Sequence, residues 1–388
     1  MRNIGCWVVM WTLLGATGCG GTGSSGEASM SEMALLGQAI FRDESLSASG
    51  RMSCATCHDP SIGHASPFPE PVAFGGVNFP NDRSDSASGM RLPPAIRYLK
   101  FNGPFKFDTD GTPMGGFFWD GRVNTLAEQA RRPFLGANEM ANANAQAVIE
   151  KLSRTDYVSR FKQVFGGDIL SDPEAALDRM AIALERYQRE DPDFAPFSSK
   201  FDAVNAGKAT FTATELRGLA WFNRRDKGNC AACHPSTAPT NAPAALFTDF
   251  TYDSLGLPRN RLIAFNRASD ADMGLCGPVR TDMSDRSDLC GKFKVPSLRN
   301  VALRKRFFHN GAFDNLHDVV RFYVTRDLTP QVWYPTDLYD DLPANLRVNV
   351  NVTEGPYNRT PGQAAALANS EIDDLVAFLR TLSDGYSP

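Results

Sequence analysis

Hydrophobic residues recur at helical spacing in several parts of this chain, each time after a polar start signal. Thr125-x-x-Glu128 has the form of a capping box and predicts a short helix that Pro133 ends. Asp172-Pro173 has the form of an N-cap followed by a first helical residue. The apolar face behind that second signal carries Leu177, Met180, Ala181 and Leu184.

Two more helices are predicted in the second half, one opened by Thr212-x-x-Glu215 and one by Ser370-x-x-Asp373. Their apolar faces carry Leu216, Leu219 and Phe222 in the first, and Ile372, Leu375, Val376 and Leu379 in the second. The best strand candidate, residues 347–352, is short. Long loops rich in Gly, Pro, Asn and Asp separate these segments, so the predicted fold class is mostly α.

Length and composition allow a folded chain of two or three domains, because there are 388 residues and 42% of them are hydrophobic. A stretch rich in Pro, Ser, Asp and Gly over 192–208 predicts a boundary between an N-terminal domain, residues 32–205, and a C-terminal domain, residues 206–388. The net charge is -4, from 40 basic and 44 acidic residues. This balance leaves no basic surface for nucleic acid.

The first thirty residues have the form of an export signal. Trp7–Ala16 is almost entirely apolar, which suits a signal-peptide core and is too short to span a bilayer. The run ends in a lipobox-like Ala-Thr-Gly-Cys19. We expect a signal peptide of residues 1–18, a lipid on Cys19 and a flexible tether of residues 19–31, with plain cleaved export as the alternative. The expected location is the periplasm, tethered to the outer membrane rather than the inner.

Four cysteines form two copies of the pattern C-x-x-C-H. This spacing lets two thioether bonds hold a porphyrin edge while the adjacent His binds the iron. A zinc site usually has a further Cys or His pair nearby, and a redox dithiol has a βαβ context; neither accompanies these motifs. The sequence therefore predicts two cytochrome c-like domains with one covalently attached haem each. The haem-binding residues are Cys54, Cys57 and His58 in the first motif and Cys230, Cys233 and His234 in the second.

Cys276 and Cys290 bracket a polar loop rich in Asp, Ser and Gly. In an oxidising compartment a disulfide between them is favoured, and two buried thiols are the alternative. A bridge here would hold a long loop just before residues 293–296, so its expected role is structural.

Eight further segments have a distinctive form: Leu36–Phe41, Phe118–Arg122, Glu128–Ala130, Asn138–Met140, Phe247–Phe250, Leu255–Asn260, Lys294–Asn300 and Leu375–Leu382. Together with the haem motifs they resemble the bacterial di-haem cytochrome c peroxidase and MauG superfamily. They cover nearly the whole mature chain in the expected order. The resemblance implies that the first haem reacts with hydrogen peroxide and that the second stores or relays an electron.

Three catalytic residues follow from the resemblance. Glu139 and Gln129 would face the open side of the first haem, where a carboxylate can move a proton between the two peroxide oxygens and an amide can orient them. Read without the resemblance, both are ordinary polar surface residues. Trp119 would lie between the haems and pass an oxidising equivalent from one to the other; the alternative is a core Trp. Pro133 falls where the family places a residue over the distal pocket.

Tyr323 occupies the family position that holds Met in the peroxidases and Tyr in MauG. Its segment, Leu316–Tyr323, has apolar residues at i, i+3, i+4 and i+7, which places Tyr323 on the buried face of a helix. A core Tyr is the alternative. The resemblance makes Tyr323 the sixth iron ligand of the second haem, and a phenolate oxygen there favours oxidised iron.

The histidines point to the MauG-like branch. Many of the peroxidases carry, in the loop after the first motif, a His that blocks the first haem, but residues 67–82 contain none. His64 is interpreted as a loop residue, so the first haem is expected to be five-coordinate and open. His309 is expected to form a structural hydrogen bond, and His317 to face solvent. Within the branch, residues 107–119 most resemble the MbnH-like subgroup.

Calcium is doubtful. The family's inter-haem calcium uses an Asn side chain and main-chain carbonyls, and the matching positions here are Leu92, Arg304 and Arg306. An apolar side chain and two positive charges suit a cation poorly. The two guanidinium groups are instead expected to neutralise haem propionates.

These implications describe a periplasmic di-haem enzyme that uses hydrogen peroxide to oxidise an aromatic side chain of a partner protein, through a high-valent state shared by both haems. One alternative is a peroxidase that scavenges hydrogen peroxide with electrons from a small redox protein. Another is an electron-transfer cytochrome without peroxide chemistry. Membrane contact is expected only through the lipid.

Overall fold

The structure is a computed structural model that describes residues 29–267 and 271–387. The predicted signal peptide and the lipidation at Cys19 lie outside the described residues and stay predictions. Within the described ranges, no helix is both long and apolar enough to cross a bilayer.

The molecule is built mainly from helices joined by long loops, so the predicted mostly α class is confirmed. The α-helices are α1 (Glu32–Arg42), α2 (Cys54–Cys57), α3 (Leu126–Arg131), α4 (Ala145–Leu152), α5 (Val158–Phe165), α6 (Pro173–Glu190), α7 (Lys200–Asn205), α8 (Ala213–Asn223), α9 (Ala264–Arg267), α10 (Leu316–Thr325), α11 (Pro330–Trp333) and α12 (Asn369–Arg380).

Two short antiparallel strand pairs and several 3-10 turns accompany the α-helices in the described ranges. Strand β1 (Lys106–Phe107) pairs with β2 (Pro113–Met114), with Lys106 opposite Met114. Strand β3 (Tyr252–Asp253) pairs with β4 (Phe293–Lys294), with Tyr252 opposite Lys294. The second pair fixes Lys294 beside the Trp119 segment, because the Lys294 amide donates to the Trp119 carbonyl at 2.9 Å.

The main apolar side chains gather in two large clusters. The first runs in sequence from Leu36 to Phe194 and lies mainly between α1, α3, α4 and α6. The second runs from Phe201 to Leu382 and lies mainly between α8, α10 and α12. The division into domains of residues 32–205 and 206–388 stays a prediction, and the two clusters are the observation that supports it.

A glycine allows the closest helix contact in each cluster. A Cβ on Gly37 of α1 would lie 2.0 Å from the Ala183 carbonyl oxygen of α6. A Cβ on Gly218 of α8 would lie 2.0 Å from the Asp374 carbonyl oxygen of α12. The two helix pairs, α1 with α6 and α8 with α12, therefore pack with their backbones in close contact.

Three helix starts are confirmed, since Thr125, Asp172 and Thr212 cap α3, α6 and α8. Helix α12 starts earlier than predicted: Ala368 is its N-cap, and its amide donates to the Glu371 carboxylate at 2.8 Å. The apolar face predicted for α8 is partly wrong, because Leu216 is 57% exposed.

The strand predicted over residues 347–352 is wrong. Residues Ala344–Asn349 form a 3-10 helix, and Val348 is 85% exposed. The Asn349 side-chain amide donates to the carbonyls of Ser287 and Cys290, at 2.6 and 3.1 Å. These bonds anchor the segment as a loop, and no strand of the described residues pairs with it.

Candidate functional site

The first C-x-x-C-H motif is a single helical turn. Cys54–Cys57 is helix α2, and His58 is its C-cap. Neither thiol is in a disulfide. Burial lowers the pKa of His58 to about 4, against the opposing effect of nearby backbone carbonyls. A neutral imidazole at the end of this turn has the charge state that iron ligation needs.

The second motif has the same order in a 3-10 turn, Cys230–Ala232, entered through Asn229 at a φ of +49°. The Asn229 side chain donates to the Gly355 carbonyl at 3.0 Å. The His234 Nδ1 lies 2.9 Å from the Phe247 carbonyl oxygen. With Nδ1–H donating to that carbonyl, Nε2 is left free for a metal, which is the usual orientation of a ligating His.

A cavity of about 1410 Å³, including its open mouth, extends from the second motif. Cys230, Cys233 and His234 line it, together with Tyr323 from α10 and Trp119. No methionine is among the described residues that line it. The cavity therefore brings the two attachment thiols and the adjacent His234 together with the Tyr323 phenol, and it is also lined by His309 and Tyr357. This donor set fits a covalently attached haem with an oxygen ligand.

The surroundings of Tyr323 are aromatic and acidic. Burial raises the pKa of its phenol, and the Cys233 thiol and the Asp253 carboxylate add to the effect. The Tyr357 ring lies 6.2 Å from the Tyr323 ring, and its hydroxyl donates to Asp253 Oδ2 at 2.7 Å. No sequence motif indicates a role for Tyr357 or Asp253, because the two residues lie 104 positions apart.

Trp119 lies between the cavity of the second motif and a smaller pocket. Its ring is 8% exposed and lines both spaces. The indole Nε1 donates to the Leu92 carbonyl at 2.7 Å, which fixes the ring. The preceding Phe118 has a φ of +65°, so the backbone turns sharply here.

Glu139 lies close to the first motif. Burial raises the pKa of the Cys54 and Cys57 thiols to about 12, and the Glu139 carboxylate raises both further. Burial also raises the pKa of Glu139 itself, against the opposing charge of Arg122. Its side chain is nevertheless solvent-accessible. Glu139 is therefore an accessible carboxylate whose charge acts on both thiols of the first motif.

Two neighbours position Glu139 and its segment. A Cβ on Gly136 would lie 2.1 Å from Glu139 Oε2, so the carboxylate occupies space that only a glycine leaves free. The Met140 amide donates to the Pro133 carbonyl at 3.1 Å, which holds Glu139 in the same turn as Pro133. Gly136 belongs to none of the motifs described above, because its role depends on where the Glu139 side chain lies in space.

Gln129 lies on α3, which packs against α6 and leads into the turn that carries Glu139. Its side chain is half-buried and makes no hydrogen bond to a described residue. The structure thus places Gln129 one helical turn before Pro133 without joining it to Glu139 by a direct bond.

The remaining histidines have separate environments. His64 is a loop residue but fully buried, with its ring 4.2 Å from Phe194 and its Nδ1 accepting from Arg97 Nε at 3.3 Å. His309 is buried and stacks on Phe293 at 3.4 Å, with Nε2 3.3 Å from an Asp341 oxygen.

His317 lies at the start of α10, with a side chain that is 36% exposed. Its Nε2 is 3.4 Å from a carboxylate oxygen of Asp373, which is itself 70% exposed. An ion pair between two such groups contributes little to stability, so His317 is a surface residue.

A disulfide joins Cys276 and Cys290, whose Cα atoms lie 4.9 Å apart. Next to it, Arg91 binds both oxygens of Asp272, at 2.6 and 2.7 Å. The same guanidinium donates to Asp120, the residue after Trp119, at 2.6 Å. Arg280, inside the disulfide loop, donates to the Asp120 carbonyl at 2.9 Å, so the loop is tied to the turn that carries the indole.

The three positions that match the family's calcium site differ in their contacts. Leu92 is buried, and its carbonyl accepts from Trp119. Arg306 donates to the Pro69 carbonyl at 2.6 Å and lies 3.6 Å from Asp314. Arg304 donates to a backbone carbonyl at 2.6 Å in the pocket beside Trp119. That these three positions suit a calcium ion poorly stays a prediction.

Comparison with known proteins gives one consistent result. The family model for di-haem cytochrome c peroxidase matches residues 31–210. The methylamine utilization protein MauG of Paracoccus denitrificans is 34% identical over all of this chain and 97% of its own length. Cytochrome c551 peroxidase of Nitrosomonas europaea is 29% identical over 75% of this chain and 72% of its own length.

A solved structure is similar over most of the fold. The diheme peroxidase BthA from Burkholderia thailandensis superposes with a TM-score of 0.84 and 39% identity. The match covers 91% of this chain and 86% of that chain. The similarity therefore extends over most of both chains.

Proposed function

The chain belongs to the di-haem cytochrome c peroxidase family, and on this premise we propose that it uses hydrogen peroxide to oxidise an aromatic side chain of a partner protein. Membership makes it a di-haem oxidoreductase of the peroxidase type. The proposal assigns Cys54, Cys57 and His58 to the first haem. It assigns Cys230, Cys233, His234 and Tyr323 to the second.

The reaction balances with two electrons. Hydrogen peroxide takes up two electrons and two protons to give two molecules of water, and the partner's side chain loses the two electrons. The bound haems supply the iron that holds the oxidising equivalents between these two events. The chain supplies proton transfer, orientation and a path between the two sites.

Proton transfer is assigned to Glu139. Its charge acts on both thiols of the first motif, and in this proposal its carboxylate takes a proton from the near peroxide oxygen and returns it to the departing one. Gln129, on the helix that leads into this segment, is assigned the orientation of peroxide. Trp119 is assigned the electron path, because its ring lines the cavity of the second motif and the pocket beyond.

The observation that carries the proposal is that Tyr323 and His234 line one cavity in which the described residues include no methionine. A phenolate oxygen favours oxidised iron, whereas a thioether sulfur favours reduced iron. An enzyme that shares oxidising equivalents needs the first property, and an electron-storing peroxidase needs the second.

The test compares Tyr323→Met with wild type by EPR before and after one equivalent of peroxide. Wild type is expected to show one high-spin and one low-spin ferric centre, both silenced by peroxide. The variant is expected to keep both haems, to raise the reduction potential of the second and to lose the joint silencing. Tyr357→Phe, beside it in the same cavity, should behave as wild type. Joint silencing in Tyr323→Met would refute the role of the oxygen ligand.

A second candidate is a peroxidase that scavenges hydrogen peroxide with electrons from a small redox protein. The similarity to cytochrome c551 peroxidase favours it. Steady-state peroxide turnover with a reduced small cytochrome would decide for this candidate if it is fast and continues through many cycles. The MbnH-like subgroup likewise stays a prediction.

The proposed location is the periplasm, with a lipid on Cys19 as the only membrane contact. The lipobox-like sequence supports this part of the proposal. Cys19→Ser should move the protein from the membrane fraction to the soluble periplasmic fraction, while both haems remain attached. A variant that stays in the membrane fraction would show that the lipid is not the anchor.

A further inference from the structure

A small pocket between the two motif sites is lined by four basic side chains. It extends from Pro94 and Arg97 on the N-terminal side to residues 294–304 on the C-terminal side, with Trp119 between them. Its basic residues are Arg97, Lys294, Arg299 and Arg304. No Asp or Glu is among the described residues that line it. Such a pocket suits an anion.

Two of these four side chains already have carboxylate partners outside the pocket. Arg97 binds Asp193 and lies 3.4 Å from Asp384. Arg299 binds both oxygens of Asp202, each at 2.8 Å. Their charges are therefore compensated within the chain.

Lys294 is held by neutral groups. Its Nζ donates to the Gly115 carbonyl and lies against the Tyr252 hydroxyl. Burial lowers its pKa well below the ordinary value. Lys294 is therefore the basic residue of the pocket that gives up its charge most readily.

Arg304 is the exception among the four. One of its terminal nitrogens donates to the Ser297 carbonyl at 2.6 Å and lies 3.4 Å from the Arg299 carbonyl. Its Nε is buried and has no hydrogen-bond partner, and it forms no ion pair with any described residue. Burial lowers its pKa to about 10, so the guanidinium is still charged at neutral pH. A buried charge without an anion is costly.

We propose that Arg304 binds a propionate carboxylate of the haem attached at Cys230 and Cys233. A haem carries two propionates, and a guanidinium is the side chain best shaped to bind a carboxylate through two hydrogen bonds. The pocket that Arg304 lines shares Trp119, Lys294, Val295 and Pro296 with the cavity of the second motif, so the guanidinium lies beside that cavity. This proximity selects the second haem rather than the first.

Arg304 and Arg306, for which the sequence predicts the same role, differ in their contacts. Arg306 uses its Nε on the Pro69 carbonyl and lies near Asp314, and it does not line the pocket. Of these two arginines, Arg304 is the one that lines the pocket, and its Nε has no hydrogen-bond partner. The inference rests on the second haem and not on the proposed oxidation of a partner, so either can fail without the other.

The test is a spectroelectrochemical titration of the holoenzyme that resolves the two haems. In Arg304→Gln we expect a downward shift of the second haem's reduction potential, because the removed positive charge favoured the reduced iron. The first haem should keep its potential. Lys305→Gln removes the same charge from the neighbouring exposed position and should shift neither haem.

Vibrational spectroscopy of the propionate modes gives a second readout that does not depend on activity. Arg304→Lys keeps the charge but replaces a two-point contact by a one-point contact, so it should shift the propionate band and largely preserve the potential. This variant also serves if Arg304→Gln does not load haem. An unchanged second-haem potential in Arg304→Gln, a shift of the first haem instead, or an unchanged band in Arg304→Lys would each overturn the proposal.

Discussion

Glu139 is accessible to solvent and densely surrounded at once, and this combination determines its chemistry. Burial keeps its pKa above the ordinary value of 4.5, against the charge of Arg122. A carboxylate with a raised pKa is a stronger base than an ordinary one, so it accepts a proton more readily. The environment is therefore suited to a group that must take and return one proton in a single turnover.

Glu139→Gln should slow the reaction with peroxide by about 10²–10⁴-fold, the usual contribution of a positioned acid–base group. Wild-type activity should fall on the acid side, because Glu139 becomes protonated as the pH drops through its raised pKa and can no longer accept a proton. Stopped-flow rates against pH check this, and the acid limb should vanish in the variant. Exposed Glu150→Gln is the control. A retained acid limb in Glu139→Gln would assign the proton transfer elsewhere.

Gly136→Ala tests the position of the same carboxylate without removing it. A methyl group at this site would collide with Glu139 Oε2, so the carboxylate must move. We expect a reduced peroxide rate with both haems attached and an unchanged resting spectrum. A wild-type rate would show that the position of this carboxylate is not critical.

At the residue scale, sequence predicts what depends on local spacing. The C-x-x-C-H motifs and the i, i+7 placement of Tyr323 are of this kind. The contacts of Asp253 with Tyr357, and of Arg91 with Asp272, are not, because those partners lie 104 and 181 positions apart. Nor does the sequence distinguish Arg304 from Arg306, since the difference lies in which neighbours each side chain meets.

At the scale of elements, helix starts were predictable where a side chain caps the helix, as Thr125, Asp172 and Thr212 do. The N-cap of helix α12 is Ala368, which gives no such signal, so the start predicted at Ser370 lies two residues late. The close α1–α6 and α8–α12 contacts could not be predicted, because a glycine inside a helix does not show what will pack against it.

Gly218→Ala should destabilise the protein by about 2 kcal/mol, since the methyl group would overlap the α12 backbone. An exposed helical glycine would instead gain about 1 kcal/mol from the same change. Urea unfolding of the holoenzyme measures the difference. Gly37→Ala, at the contact in the first cluster, should show a similar loss. A gain in stability in either variant would contradict the packing described here.

At the scale of the whole molecule, a buried carboxylate near the C-terminus joins the two halves. Asp384 accepts from the Tyr98 hydroxyl at 2.7 Å and from the Asn300 amide at 2.6 Å, and it lies 3.4 Å from Arg97. Tyr98 and Arg97 come from the N-terminal half, whereas Asn300 and Asp384 come from the C-terminal half. Tyr98 and Asp384 lie 286 positions apart, so their hydrogen bond could not be predicted from the sequence.

Asp384→Asn should lower the free energy of unfolding by about 2 kcal/mol. This is below the roughly 3–5 kcal/mol typical of a broken buried pair, because Arg97 keeps Asp193 as a partner. Chemical denaturation checks the value. Asp373→Asn removes an exposed carboxylate that faces His317 and should cost less than about 1 kcal/mol. Equal losses in the two variants would mean that Asp384 does not join the halves.

The bond from the Trp119 indole to the Leu92 carbonyl has a consequence for durability. An amide oxygen is a far weaker base than a carboxylate, so it does not draw the proton away from the ring. If the indole loses one electron, it therefore keeps its N–H proton and becomes a radical cation. Return of one electron then restores the original Trp. A Trp held in this way relays an electron without being chemically modified, so it can take part in every catalytic cycle.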